Sequence, residues 1–150
     1  MTVSNRRPII AGNWKMNTQP EDARTLAAAV RDQLPAVPGI DVILCPPFVS
    51  LALVASEVDG SPISVGAQNM HPEPSGAYTG EISPTMLASI CRYVILGHSE
   101  RRALFDEASG FINRKVLSAL SNGLRPIVCV GETLDQRDAG RAAQVLRRQT

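Results

Sequence analysis

Aromatic residues are scarce in this chain: one Trp, two Tyr and three Phe in 150 residues. Lys and Arg number 15 against 14 Asp and Glu, a net charge of +1, so no basic face with interleaved stacking rings is available and nucleic acid is not an expected partner. The Arg147-Arg148 pair reads as a solvated helix face. Cysteine is also sparse. Cys45, Cys91 and Cys129 are odd in number, far apart and embedded in apolar segments, which suits reduced thiols and argues against a disulfide framework or a zinc site. No apolar run approaches the roughly 20 residues of a membrane-spanning helix, and Met1 to Arg7 is polar with no signal-peptide core. The expected location is cytoplasmic, with no membrane partner. Neither a Gly-x-Gly-x-x-Gly turn nor a phosphate loop ending in Gly-Lys-Ser or Gly-Lys-Thr occurs, so the commonest signatures of dinucleotide and nucleoside triphosphate binding are missing.

What is present is an ordinary globular composition, 44% hydrophobic and 19% charged, enough to bury a core within one domain over residues 1–150. Strand and helix signals alternate along it. Ile9 to Ala11 begins a strand, and Thr18 with Glu21 three positions on matches a capping box for a helix with Ala23, Leu26, Ala27, Val30 and Leu34 on one face. Pro35 and Pro38-Gly39 stop it. Val42 to Cys45 is a second strand, and after Pro46-Pro47 a helical stretch carries Leu51, Val54, Ala55 and Val58. Ile63 to Ala67 is a third strand. The polar segment Gln68 to Glu81 then exceeds the usual connection of about 2 to 6 residues, so it is expected to be mobile or committed to a partner.

Ser83-Pro84 is an N-cap and first-turn pair for a helix bearing Met86, Leu87 and Ile90. Tyr93 to Leu96 is the fourth strand. Ser99 is the expected cap of a short helix, although Arg102 replaces the Glu or Gln of a full capping box. Phe111 to Ser121 is a helix with Ile112, Val116, Ala119 and Leu120 inward, ended by Asn122-Gly123, and Ile127 to Val130 is the fifth strand. Gly131-Glu132-Thr133 opens a last amphipathic stretch. Strands separated by helices point to a parallel sheet, either doubly wound or part of a (β/α)₈ barrel, which at about 250 residues would be represented here by five of its eight units.

Polar groups collect where the strands end. Tyr93 to Leu96 runs through Gly97 directly into His98, Ser99, Glu100, Arg101 and Arg102; near the N-terminus, an apolar strand and Gly12 lead to Asn13 and Lys15. Carboxyl ends of parallel strands are where α/β folds bind ligands. A lone His among polar neighbours is commonly a turn residue, but two strand ends with the same plan suggest one site.

Ala11-Gly-Asn-Trp-Lys-Met-Asn17, Gly66-Ala-Gln-Asn69, Gly76-Ala-Tyr-Thr-Gly-Glu-Ile-Ser-Pro84, Val94-Ile-Leu-Gly-His-Ser-Glu-Arg-Arg102 and Cys129-Val-Gly-Glu132 occur in order and spacing such that the chain resembles the triosephosphate isomerase family. Ala108-Ser-Gly-Phe111 departs from it by being less polar. The resemblance implies a (β/α)₈ barrel, here its first five β/α units, and interconversion of dihydroxyacetone phosphate and D-glyceraldehyde 3-phosphate in glycolysis and gluconeogenesis through an enediolate, without metal or cofactor. It implies that Lys15 supplies positive charge for the developing oxyanion, that Asn13 orients the substrate carbonyl and Lys15, and that His98 is the electrophile. The family is itself a standard worked example of a histidine kept neutral by a helix N-terminus, and His98 stands just before such a start. Ser99, Glu100 and Cys129 are supporting candidates; a first-turn acid and a packing thiol are the plainer roles for the last two.

The resemblance further implies a homodimer of the full-length protein, with the Gln68 to Glu81 loop reaching a neighbouring subunit and Thr79 near that subunit's site. The family's general-base glutamate, lid and phosphate-gripping turns match nothing before Thr150, so the 150-residue chain by itself is expected to be inactive, with open sheet edges. The alternative is a non-catalytic half-barrel acting as a binding or assembly module.

Overall fold

Parallel pairing needs a crossover between consecutive strands, and helices supply it at each step. The structure, a computed structural model, describes residues 6–35 and 38–150. The elements run β1 (Ile9–Asn13), α1 (Pro20–Gln33), β2 (Asp41–Cys45), α2 (Phe48–Glu57), β3 (Ile63–Ala67), α3 (Pro84–Ala88) and β4 (Tyr93–Leu96). They continue with α4 (Ser99–Leu104), α5 (Ser109–Ser121), β5 (Arg125–Val128), α6 (Leu134–Asp138) and α7 (Ala142–Gln149). The five strands pair in sequence order, all parallel, into a curled sheet that forms the first five units of a (β/α)₈ barrel. Segment Met1 to Asn5, most of the stretch noted above for lacking a signal-peptide core, lies outside the described residues. Among the described residues no helix is long and apolar enough to cross a membrane.

The two faces of the sheet bury different sets. Leu44, Val65, Ala67, Val94 and Leu96 pack outward against Ala23, Ala27, Leu51, Val54, Leu87 and Ala119 of the helices. Ile43, Cys45, Tyr93 and Ile95, joined by Ile127 and Cys129, form a second cluster on the concave face, the inner layer expected of barrel strands. Gly66 is the closest-packed point of that layer: a Cβ there would stand 2.9 Å from Cys45 Sγ and 3.2 Å from Tyr93 Cβ, so a side chain cannot be added without moving the layer. β1 and β5 are the sheet edges.

Several local expectations change. Thr18 does not cap α1. Pro20 occupies the first turn, the N-cap is Gln19 without a side-chain bond, and Thr18 sits at φ 72°, because a proline at the start sets the helix boundary after Thr18. Ser99 is the first helical residue of α4, and its cap is His98, whose side chain accepts the Glu100 amide. Leu26 and Leu120 are exposed, not inward, since the buried stripes follow Ala23 and Ala27 in α1 and Ile112, Lys115 and Ala119 in α5, leaving both leucines at the margin. Met86 is likewise exposed. β5 begins at Arg125, before Ile127, because the Arg125 amide joins the ladder at Arg92 O. The Thr133-x-x-Gln136 pattern forms a full capping box for α6.

The Gln68 to Glu81 segment is folded at its base and exposed at its tip. His71 N donates to Ile82 O, Ser118 Oγ to Pro72 O and Thr85 Oγ1 to Pro74 O, while the Tyr78 ring stacks on His71 at 4.1 Å. Residues 73–81 are exposed.

Lys115 is the largest fully buried side chain, 1% exposed, and was not expected in the core. Its Nζ donates to Glu107 Oε1 at 2.6 Å and to Asn69 Oδ1 at 2.9 Å, and Arg101 Nε donates to the same Glu107 oxygen at 2.7 Å. Burial alone pushes the Glu107 carboxyl up, but Lys115 and Arg101 outweigh it and hold the group below the usual carboxylate range. Such a group contributes stability that is present above its unfolded-state pKa and lost as pH falls through the depressed folded-state value. Replacing Lys115 by Met removes one cation from a buried carboxylate. Urea unfolding should show a loss of about 3 kcal/mol, and the acid-unfolding midpoint should move to higher pH; an unchanged midpoint would contradict this role for the pair.

Candidate active site

The site is built from the carboxyl ends of β1, β3 and β4. Asn13 closes β1 on the concave face, in register with Cys45, and its Oδ1 accepts the Lys15 amide at 3.0 Å. Lys15 takes φ 55°, a left-handed conformation that costs a non-glycine residue about 1 to 3 kcal/mol and persists only where neighbours enforce it. The enforcing neighbour is Gln68, just past β3. Its Nε2 donates to Lys15 O and to Cys45 O, each at 2.8 Å, so one amide holds the strained turn against the end of β2. No role for Gln68 was read from the sequence, although it stood in the Gly66-Ala-Gln-Asn69 motif at a strand end, the position that flagged Asn13 and His98.

The Lys15 ammonium forms a short hydrogen-bonded ion pair with Glu100 Oε1. The hydrogen bond from Lys15 holds the Glu100 carboxyl below its ordinary range. His98 lies between β4 and α4 with its Nδ1 accepting the Glu100 amide at 3.3 Å. Glu100 Oε2 is 3.4 Å from the same nitrogen. The Glu100 amide uses the Nδ1 lone pair, and in a neutral imidazole with that bond the ring proton sits on Nε2.

Asn13, Lys15, Gln68, His98 and Glu100 line one open cavity of about 880 Å³, with Phe48 and Phe105 among its apolar walls. Ser99 is exposed at the start of α4. Cys129 is half-buried in the concave layer; burial pushes its thiol up, partly countered by the Arg102 charge. Thr79 is at the exposed loop and does not line the cavity of its own chain. Among the described residues, no group of three or more His, Cys, Asp or Glu side chains is placed to hold a metal ion.

The profile of the family described as Triosephosphate isomerase matches residues 8–150. The chain belongs to the triosephosphate isomerase family. It is 53% identical over 145 residues to the triosephosphate isomerase of Chloroflexus aurantiacus, covering 96% of this chain and 58% of that protein. The protein of that name from Dehalococcoides mccartyi is 56% identical over 133 residues, 89% of this chain and 53% of its own length. That of Herpetosiphon aurantiacus is 51% identical over 142 residues, 94% and 57% of the two chains. The chain thus spans a little over half the length of these family members.

The His98 tautomer is directly measurable. A long-range ¹H–¹⁵N spectrum near neutral pH should show His98 Nδ1 as the unprotonated nitrogen and Nε2 as the protonated one. The reverse pattern would overturn the hydrogen-bond assignment.

Proposed function

We propose that the full-length protein is a triosephosphate isomerase that moves a proton between adjacent carbons of a triose phosphate through an enediolate. The observation that carries this is the placement of the Lys15 cation and the His98 imidazole on one cavity wall, each fixed by hydrogen bonds at the end of a different strand. Chemistry of this kind needs charge and donors aimed at an oxyanion before it forms. Lys15 supplies the charge, and the Nε2–H of His98 donates to the enediolate oxygen. Asn13 orients the substrate carbonyl and holds the Lys15 backbone, as its bond to Lys15 N supports. Glu100 holds the Lys15 ammonium. Ser99 and Cys129 shape the surroundings and do not touch the reacting atoms. No metal or cofactor is required.

The general base comes from outside these residues. Glu100 and Glu132, the acids at strand ends, are engaged by Lys15 and Arg137 respectively. The cavity beside Lys15 and the exposed loop tip support a homodimer, with Thr79 of one copy set beside the other copy's site, acting on a soluble triose phosphate in the cytoplasm. A non-catalytic half-barrel module is not favoured, because the relatives matched over nearly the whole chain carry the isomerase name.

In the full-length protein, Lys15→Met should lower isomerase turnover by about 10²-fold or more while circular dichroism stays unchanged; near-normal turnover would sink the assigned role. Shortening residues 72–78 should convert a dimer to a monomer in sedimentation, and an undisturbed dimer would remove the loop as its main contact.

A further inference from the structure

Arg102 is a half-buried cation that none of the roles above uses, and among the described residues it takes part in no ion pair. Its guanidinium is spent on neutral oxygens instead. Nε donates to Gly97 O at 2.8 Å, Nη2 to Cys129 O at 3.2 Å and Nη1 to Ser109 Oγ at 3.1 Å. Its backbone N–H donates to His98 O at 3.1 Å. The His98 carbonyl is thus held by backbone amides of α4, Arg101 N at 2.9 Å as well as Arg102 N, whereas the Gly97 carbonyl is held by the Arg102 side chain. The same side chain ties the Gly97 carbonyl to the carboxyl end of β5 and the first turn of α5.

The Gly97 carbonyl so held belongs to a residue with wide backbone freedom. Gly97 sits at φ 72°, a conformation with broad freedom for glycine, and a Cβ there would lie 2.9 Å from Arg102 Nη2 and 3.1 Å from Cys129 O. Glycine is thus what lets the guanidinium lie against the strand end, and the guanidinium is what stops the glycine from turning. A planar fork with donors in fixed directions can bond three oxygens at once, whereas a lysine ammonium on a flexible stem cannot reproduce the geometry.

We propose that Arg102 is the positioning residue for the His98 imidazole, its side chain holding the Gly97 carbonyl against the end of β5 so that Nδ1 stays on the Glu100 amide and Nε2 faces the cavity. Without it the Gly97 to His98 peptide rotates and the imidazole drifts. A displacement of about 1 Å at a reacting group can cost about 10²-fold in rate. The kinetic part rests on the isomerase function proposed above, while the geometric part does not.

The experiment compares the full-length protein with its Arg102→Ala and Arg102→Lys variants. Turnover and the ¹⁵N signals of His98 are recorded, with and without added guanidinium at concentrations far below denaturing ones. The expected result is folded variants with kcat down about 10²-fold, KM little changed, and His98 Nδ1 shifted away from its hydrogen-bonded position. Guanidinium should restore part of both signals in Arg102→Ala, and methylammonium should not. Variants that merely melt earlier, with parental kcat and parental His98 signals, would reduce Arg102 to a structural staple and overturn the proposal. If the parental protein shows no turnover, the isomerase assignment fails, while an Arg102-dependent, guanidinium-rescued His98 signal still upholds the positioning role. If Arg102→Ala does not fold, the parental protein decides. Its Arg102 Nε–H should exchange with solvent no faster than the Glu100 amide, because the two bonds open together, and a much faster exchange overturns the coupling.

Discussion

Parallel hydrogen bonding of β1 to β5 sends every strand in the same direction, so all their carboxyl ends meet on one rim. The arrangement of the chemistry-bearing side chains depends on this. Asn13 and Lys15 are distant in sequence from Gln68, and all three are distant from His98 and Glu100. They line one cavity because the carboxyl ends of β1, β3 and β4 lie on the same rim of the curled sheet, with β2 between β1 and β3. Alternating strand directions would have put the end of β4, with His98 and Glu100, opposite the ends of β1 and β3.

At that rim the backbone departs from easy geometry, and side chains hold it there. Lys15 is kept left-handed by Asn13 on its amide and Gln68 on its carbonyl, and the carbonyl of Gly97, left-handed without strain, is bonded by the Arg102 side chain. In both places the restrained backbone carries a group of the candidate site, the Lys15 ammonium or the His98 imidazole. At Lys15 strain that would relax in isolation is held by a bond from Gln68 beyond a different strand, which makes rigidity there a property of the fold.

Below the rim, polarity is also buried, in the Asn69, Lys115, Glu107 and Arg101 chain. It links the residue after Gln68 to α5 and to α4, the helix that carries Glu100 and Arg102. The same helix therefore serves the site on one side and a buried ion pair on the other. Such a pair is strongly destabilising to break, because removing one partner leaves a charge in a site closed to water.

The alternation of apolar runs with helical stripes was enough to determine a parallel α/β chain of five units, and the first four strand cores lie where that pattern put them, while β5 lies two residues earlier at both ends, Arg125–Val128 in place of Ile127 to Val130. Glycines and polar residues immediately after apolar runs likewise marked Asn13, Lys15 and His98, because a strand end is a local feature written in consecutive residues. Helix caps were less legible: Thr18 and Ser99 had suitable hydroxyls, but Pro20 and the His98 imidazole took control of the starts. Burial of Lys115 and the grip of Gln68 and Arg102 could not be read at all. Periodicity assigns a long charged side chain to the surface, and the bonds of these three reach partners up to 53 residues away along the chain. Those contacts exist only after the strands have paired, so the sequence by itself determined which residues stand at the strand ends, and the tertiary structure decided what holds them still.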